Sequence, residues 1–178
     1  MDYLKQKQII AKVDKVGNII GEIEKWEAHK KGILHKALSV TLTYKGKYII
    51  QHRKHPAFDG VYDLTSSSHQ LIVGGILQST LEATYSCLKR EWNLEKKDLK
   101  KTIVHGSIYY KAKDPKSIYT EHEVCEMLTI EVKKMPMPNF EFAYGFSLLS
   151  KDEITNKDSR IYGLLAPWTK VAIEKGYF

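Results

Sequence analysis

Five residues carry the types and spacings that chemistry with a divalent metal would use. His29 and His35 flank a Lys-Lys-Gly turn signal, and His69 closes the serine run Ser66-Ser67-Ser68. Glu121 and Glu123 stand at i and i+2, with His122 between them. On a strand the two glutamates point to one face and His122 to the other. Imidazoles and carboxylates together suit a divalent transition metal or Mg²⁺. Spacing leaves a plainer reading open as well. Two glutamates on one strand face are often a solvated face, and their repulsion becomes useful only when a cation bridges them.

These residues must be positioned by a framework, and its outline can be read from the pattern. Residues 8–14 and 19–23 read as two strands around the turn signal Val16-Gly17-Asn18. Residues 38–44 alternate apolar and small polar side chains, as a half-buried strand should, and Lys45-Gly46-Lys47 closes a hairpin onto residues 48–53. Residues 54–70, with Pro56, Gly60 and the serine run, read as a loop. Ser79-Thr80-Leu81-Glu82 is a capping box that opens a helix. Leu81, Tyr85, Leu88 and Trp92 recur along it at helical spacing, and Asn93 suits its left-handed cap. Strands are expected near 102–111, 123–132 and 141–149, and a last helix from Pro167 to Lys175 that stops at Gly176. This order of elements predicts an α/β or α+β domain around a mixed β-sheet.

The chain has 178 residues, 43% of them hydrophobic, with 11 Gly and 5 Pro and no low-complexity stretch. One domain over 1–178 is expected, and disordered or fibrous classes are excluded. No apolar run is long enough to span a membrane, and the N-terminus lacks the apolar core of a signal peptide. Two cysteines, Cys87 and Cys125, make no disulfide framework, so a reducing cytoplasm is the expected location. The formal net charge of +7 favours anionic partners. The charge alone does not choose among nucleic acid, a phosphorylated small molecule and a solvated lysine-rich surface. Because the lysines are scattered and no nucleic-acid motif accompanies them, neither nucleic acid nor a membrane is expected as partner, and the assembly is expected to be a monomer or homodimer.

Five separated pieces, in order, carry a resemblance. They are Gly17 to His29, Leu34-His35-Lys36-Ala37-Leu38-Ser39-Val40, Gly60 to His69, Glu121-His122-Glu123-Val124-Cys125, and Ala166-Pro167-Trp168. From about Ile10 to Gly176 the chain resembles type I isopentenyl-diphosphate isomerase of the Nudix superfamily. The resemblance implies an α/β/α sandwich around a mixed sheet. It also implies a metal site of His29, His35, His69, Glu121 and Glu123, holding Mn²⁺ or Zn²⁺, and Mg²⁺ held through Glu91. Lys25 and Arg53 fall where the family places diphosphate-contacting residues. The implied catalytic set is Glu123, Ser67, Trp168 and Tyr110, with Trp168 offering a ring face to a carbocation-like centre. Moving a double bond by one position adds a proton at one carbon and removes one from its neighbour, so acid–base groups must flank a thin slot.

The resemblance breaks at Ser67, where the family carries a catalytic cysteine. A serine hydroxyl is far less acidic than a thiol, whose reference pKa is about 8.5. Cys87 and Cys125 do not obviously replace it. The acidic box of Nudix hydrolases is also incomplete. With Asn93 aligned to its closing glycine, Glu91 is the last glutamate, and Ser86, Cys87 and Arg90 replace the other charged positions. A few extra residues precede Ser79, and the loop after Arg53 is short, so that Lys54 or His55 must stand for a second family lysine. Three readings stand side by side: an isomerase-like enzyme on a small isoprenoid diphosphate, a Nudix hydrolase with an incomplete box, and a non-catalytic diphosphate-metabolite binder.

Overall fold

In the computed structural model, which describes residues 3–177, a mixed nine-stranded sheet carries helices on both faces. The strands are β1 (Ile9–Val13), β2 (Ile19–Glu24), β3 (His35–Tyr44), β4 (Lys47–Arg53), β5 (Tyr62–Asp63), β6 (Ser66–Ser68), β7 (Ile72–Val73), β8 (Ile76–Leu77), β9 (Leu99–Lys113), β10 (Thr120–Val132) and β11 (Ala143–Leu149). The helices are α1 (Lys25–Lys31), α2 (Thr80–Trp92), α3 (Lys151–Thr155), α4 (Arg160–Leu164) and α5 (Pro167–Glu174). β7 and β8 form a separate small hairpin between His69 and Ser79.

β3 is the hub. It pairs antiparallel with β1, β4 and β6 and parallel with β10. The alternation of its side chains divides the core. Leu38, Val40 and Leu42 pack with Leu88 and Trp92 of α2 on one face. Ala37, with Cys125 and Met127 of β10, packs against Trp168 and Ala172 of α5 on the other. The parallel β3–β10 register places His35 directly beside Glu123. A slip of one residue would send one of them to the opposite face.

Three expectations are corrected. The stretch 54–70 is not all loop, because β5 and β6 extend the sheet within it. Their two- and three-residue lengths leave no alternation to read. The helical stripe on α2 is rotated: Leu81 is exposed, and the inner face carries Ala83, Thr84, Cys87, Leu88, Glu91 and Trp92. Hydrophobic periodicity misses this face because half of it is polar. Finally, α1, α3 and α4 add helices to the two expected. The capping box of Ser79 and Glu82 and the left-handed Asn93 (φ 53) stand as expected.

Candidate metal centre

The short helix α1 delivers the first histidine. The Glu24 carboxylate accepts from the Glu27 amide at 2.8 Å, Lys31 pairs with Glu27 at 2.6 Å, and Gly32 closes the helix at φ 60. Only seven residues long, α1 depends on these caps rather than on propensity. Its signal in the sequence was the acidic cap followed by Lys-Lys-Gly.

His29, His35, His69, Glu121 and Glu123 converge, with one ligand atom from each lying within 4.8 Å of all the others. The Nε2 of His29 is 3.1 Å from Glu121 Oε2, and the Nε2 atoms of His35 and His69 are 3.4 and 3.3 Å from Glu123 Oε1. The Nδ1 atoms of His29 and His35 each donate to a backbone carbonyl at 2.7 Å, of Lys25 and Ile33 respectively. That bond fixes the tautomer and leaves the Nε2 lone pairs turned inward. On β10 the two glutamates share the inner face, while His122 faces away and bonds the Gly32 carbonyl at 2.8 Å.

The arrangement fits a cation for a reason visible in its hydrogen bonds. His35 Nε2, His69 Nε2 and Glu121 Oε2 are buried and have no hydrogen-bond partner. An unsatisfied buried polar group costs about 1–3 kcal/mol. Three of them aimed at one point are relieved together by a divalent ion. Burial, with His35 and His29 alongside, pushes the His69 pKa well below its ordinary value, which keeps the ring a neutral donor. Burial works to raise the Glu123 carboxyl, but His35, Glu121 and Tyr110 outweigh it and hold it at about 2. Burial likewise opposes a charge on His29, yet Glu121 and the Lys25 carbonyl prevail and its pKa is raised. Three imidazoles and two carboxylates suit Mn²⁺ or Zn²⁺ better than Mg²⁺, which prefers an all-oxygen shell.

The centre opens into a cavity whose walls hold Lys25, Arg53, Ser67, Glu91, Tyr110 and Trp168, so the remaining residues expected at the site are gathered there. Tyr110 donates to Glu123 through a short hydrogen bond. Glu91 is not one of the five clustered ligands; its oxygens accept from Arg90 at 2.7 Å and from Ser66 at 2.8 Å. Arg53 is tied inward, donating to Asp63 at 3.1 Å and to the Ala57 carbonyl at 3.1 Å. Lys54 and His55 both line the cavity, but burial and Arg53 push the His55 pKa well down, so Lys54 is the cation of the two. Neither cysteine lines the cavity, and burial pushes the Cys87 thiol up to about 12 and Cys125 well above its usual value. Sequence reading missed Tyr3, Arg90, Gln51 and Asp63. Arg90 stacks its guanidinium 3.8 Å from the Tyr3 ring centre at the mouth.

The chain is 25% identical to the human isopentenyl-diphosphate delta-isomerase 2, over 95% of its own length and 82% of that protein. It is 27% identical to the isopentenyl-diphosphate delta-isomerase of Rhodobacter capsulatus, over 90% and 89%. The chain is isopentenyl-diphosphate-isomerase-like in sequence and Nudix-like in fold. Solved structures agree on the fold. A Deinococcus radiodurans protein superposes with a TM-score of 0.70 at 15% identity, covering 96% of this chain and 100% of that one. A MutT Nudix hydrolase from Burkholderia pseudomallei does so at 0.57 and 12%, covering 79% and 96%. No protein-family model matches the chain. Among the described residues no helix is long and apolar enough to cross a membrane.

Proposed function

We propose that this protein shifts the double bond of a small isoprenoid diphosphate, with a divalent metal at the His/Glu centre and Mg²⁺ escorting the diphosphate near Glu91. The observation that carries this reading is the five-ligand cluster opening onto a cavity that also holds cations and unsatisfied donors. Lys25, Arg53, Lys54 and Arg90 line the cavity. So do Gln51 Nε2 and Arg90 Nε, two buried donors with no partner. A diphosphate offers the charge and the acceptor oxygens that such a wall needs. Glu123 takes the proton from one carbon, Tyr110 orients Glu123, and Trp168 presents an aromatic face to the developing cation. When bound, the metal ion fixes the ligand carboxylates and neutralises charge in the slot. The hydrolase reading keeps Glu91 alone of the box residues, since Ser86 is exposed on the far side of α2 and the Cys87 thiol contacts Glu91 at 3.5 Å.

The test is one NMR time course of isopentenyl diphosphate in D₂O with Mg²⁺ and a trace of Mn²⁺ or Zn²⁺. Dimethylallyl signals and deuterium at allylic carbons are expected. Released phosphate would establish the hydrolase reading instead, and unchanged proton and phosphorus spectra would establish that the chain does not act on this substrate.

Lys25 offers a separate prediction. Burial, then the nearby Arg90, depresses its pKa from 10.5 to about 8, although its ammonium lies over the Trp26 ring at 4.5 Å. Between pH 8 and 10.5 the native state therefore binds fewer protons than the unfolded chain. Stability rises across that window, and below it the buried charge opposes folding by about 3 kcal/mol. Lys25→Met is expected to raise the melting temperature by several degrees at pH 7 and to weaken diphosphate binding at least tenfold. Thermal unfolding and calorimetric titration with inorganic diphosphate check the two halves.

A further inference from the structure

Asp63 is fully buried behind the cavity wall, and nothing above gives it work. It sits on β5, four residues before Ser67 on β6. Its Oδ1 accepts from the Trp168 indole N–H at 2.5 Å and from the Ser67 hydroxyl at 3.3 Å. Its Oδ2 accepts from Arg53 at 3.1 Å. Ser67 Oγ also lies 2.7 Å from Ser39 Oγ, which Cys125 Sγ approaches at 3.5 Å. Of Asp63, Ser39, Cys125 and Ser67, Ser67 alone lines the cavity, which Glu123, Tyr110 and Trp168 also line.

A serine hydroxyl is a very weak acid, whereas the buried carboxyl behind it is a far stronger one. Resting on the isomerase reading, we propose that Asp63 is a positioning residue that holds the proton Ser67 hands to the terminal alkene carbon of the substrate. The transfer balances. The Asp63 O–H bond breaks as Ser67 Oγ accepts that proton, and the Ser67 O–H bond breaks as the alkene electron pair forms a new C–H bond. Asp63 is left as a carboxylate and the substrate as a tertiary cation. Loss of the neighbouring C–H proton to Glu123 then forms the shifted double bond. Water returns a proton to Asp63 and removes one from Glu123, and nothing is oxidised or reduced.

The groups facing Asp63 are Arg53 from β4, Ser67 from β6 and Trp168 from α5, with Glu91 of α2 acting at longer range. Burial raises the Asp63 pKa to about 6 against the lowering effect of Arg53, Trp168 and Ser67. A proton donor works best when its pKa lies near the operating pH. The two fixed contacts, to Arg53 and Trp168, leave Ser67 as the outlet toward the slot.

The experiment compares the metal-loaded parent, Asp63→Asn, Ser67→Cys and the Asp63→Asn/Ser67→Cys double variant. Isomerisation is followed by NMR against pH, and the infrared carbonyl band of a protonated carboxyl is recorded for each. Metal content and melting temperature confirm that each variant is folded and loaded. Asp63→Asn is expected to lose at least 100-fold in rate and to lose a carboxyl band that titrates near pH 6 in the parent. Placing Ser67→Cys in the Asp63→Asn background is expected to restore at least tenfold, because a thiol carries its own transferable proton. A structural role for Asp63 predicts no such rescue, and a double variant as inactive as Asp63→Asn overturns the proposal. So does Asp63→Asn turning over within threefold of the parent, or a band unchanged by it. A parent that shows the band yet never isomerises overturns the isomerase reading, and the role of Asp63 falls with it.

Discussion

Glu123→Gln is expected to lower isomerisation by roughly 10²–10⁴-fold, the range of a positioned acid–base group. The amide keeps the size of the carboxyl and loses both of its functions. Glutamine cannot take up a proton at carbon, and its carbonyl is a weaker acceptor for the Tyr110 hydroxyl that now bonds Glu123. It also removes one negative charge from a site where His35 and His69 approach the same oxygen at 3.4 and 3.3 Å. Glu121→Gln separates these effects. Glu121 faces the same centre from 3.1 Å beyond His29 but makes no hydrogen bond to Tyr110. Both variants are expected to bind the transition metal more weakly, by elemental analysis after dialysis. When saturating metal is restored, Glu121→Gln should recover most of its rate and Glu123→Gln should not. Equal recovery by both would assign Glu123 to metal binding alone.

Metal loading is expected to raise the melting temperature by roughly 8–16 °C when free metal stands at about 1,000 times its dissociation constant. Preferential binding to the native state then contributes about 4 kcal/mol, and each kcal/mol moves a chain of this size by about 2–4 °C. The unfolded chain presents the same five side chains scattered, so little affinity is lost to it. His35→Ala is expected to abolish the metal-dependent rise. In chelated protein the same change removes a buried nitrogen that makes no hydrogen bond but lies 3.4 Å from Glu123 Oε1 and helps keep that carboxyl ionised. The chelated variant should therefore melt only moderately below the chelated parent, by the few degrees that cutting back a buried side chain and losing its contact to Glu123 cost. A variant that melted far below the chelated parent, with its metal-dependent rise intact, would mean that His35 serves packing rather than the ion. Differential scanning calorimetry with Mn²⁺ and with a chelator reads both.

How much of this was visible in the sequence follows from what each feature depends on. The five clustered residues were named from the resemblance, because motif order and a period of two survive without coordinates, and Glu121 and Glu123 do share a face. The capping box of α2 was legible because it is local. The inner face of α2 was not, because Glu91, Cys87 and Thr84 are buried there on account of the site rather than of hydrophobicity. The helix that carries His29 was missed because seven residues give no periodicity, only caps. Asp63 was out of reach altogether. Its partners Arg53 and Trp168 lie ten residues upstream and 105 downstream, and no local pattern announces that they meet.

The parallel pairing of β3 with β10 has a consequence for how the molecule comes into being. Along this seam, contacts such as Lys36 with Glu126 join residues 90 apart in the chain. Contacts of such separation form late, since the entropy of closing the loop must be met before they return anything. A chain emerging from the ribosome displays all three histidines long before either glutamate exists. The five-residue cluster cannot assemble until Glu123 has been made, so metal capture there would follow the pairing of β3 with β10 rather than start it.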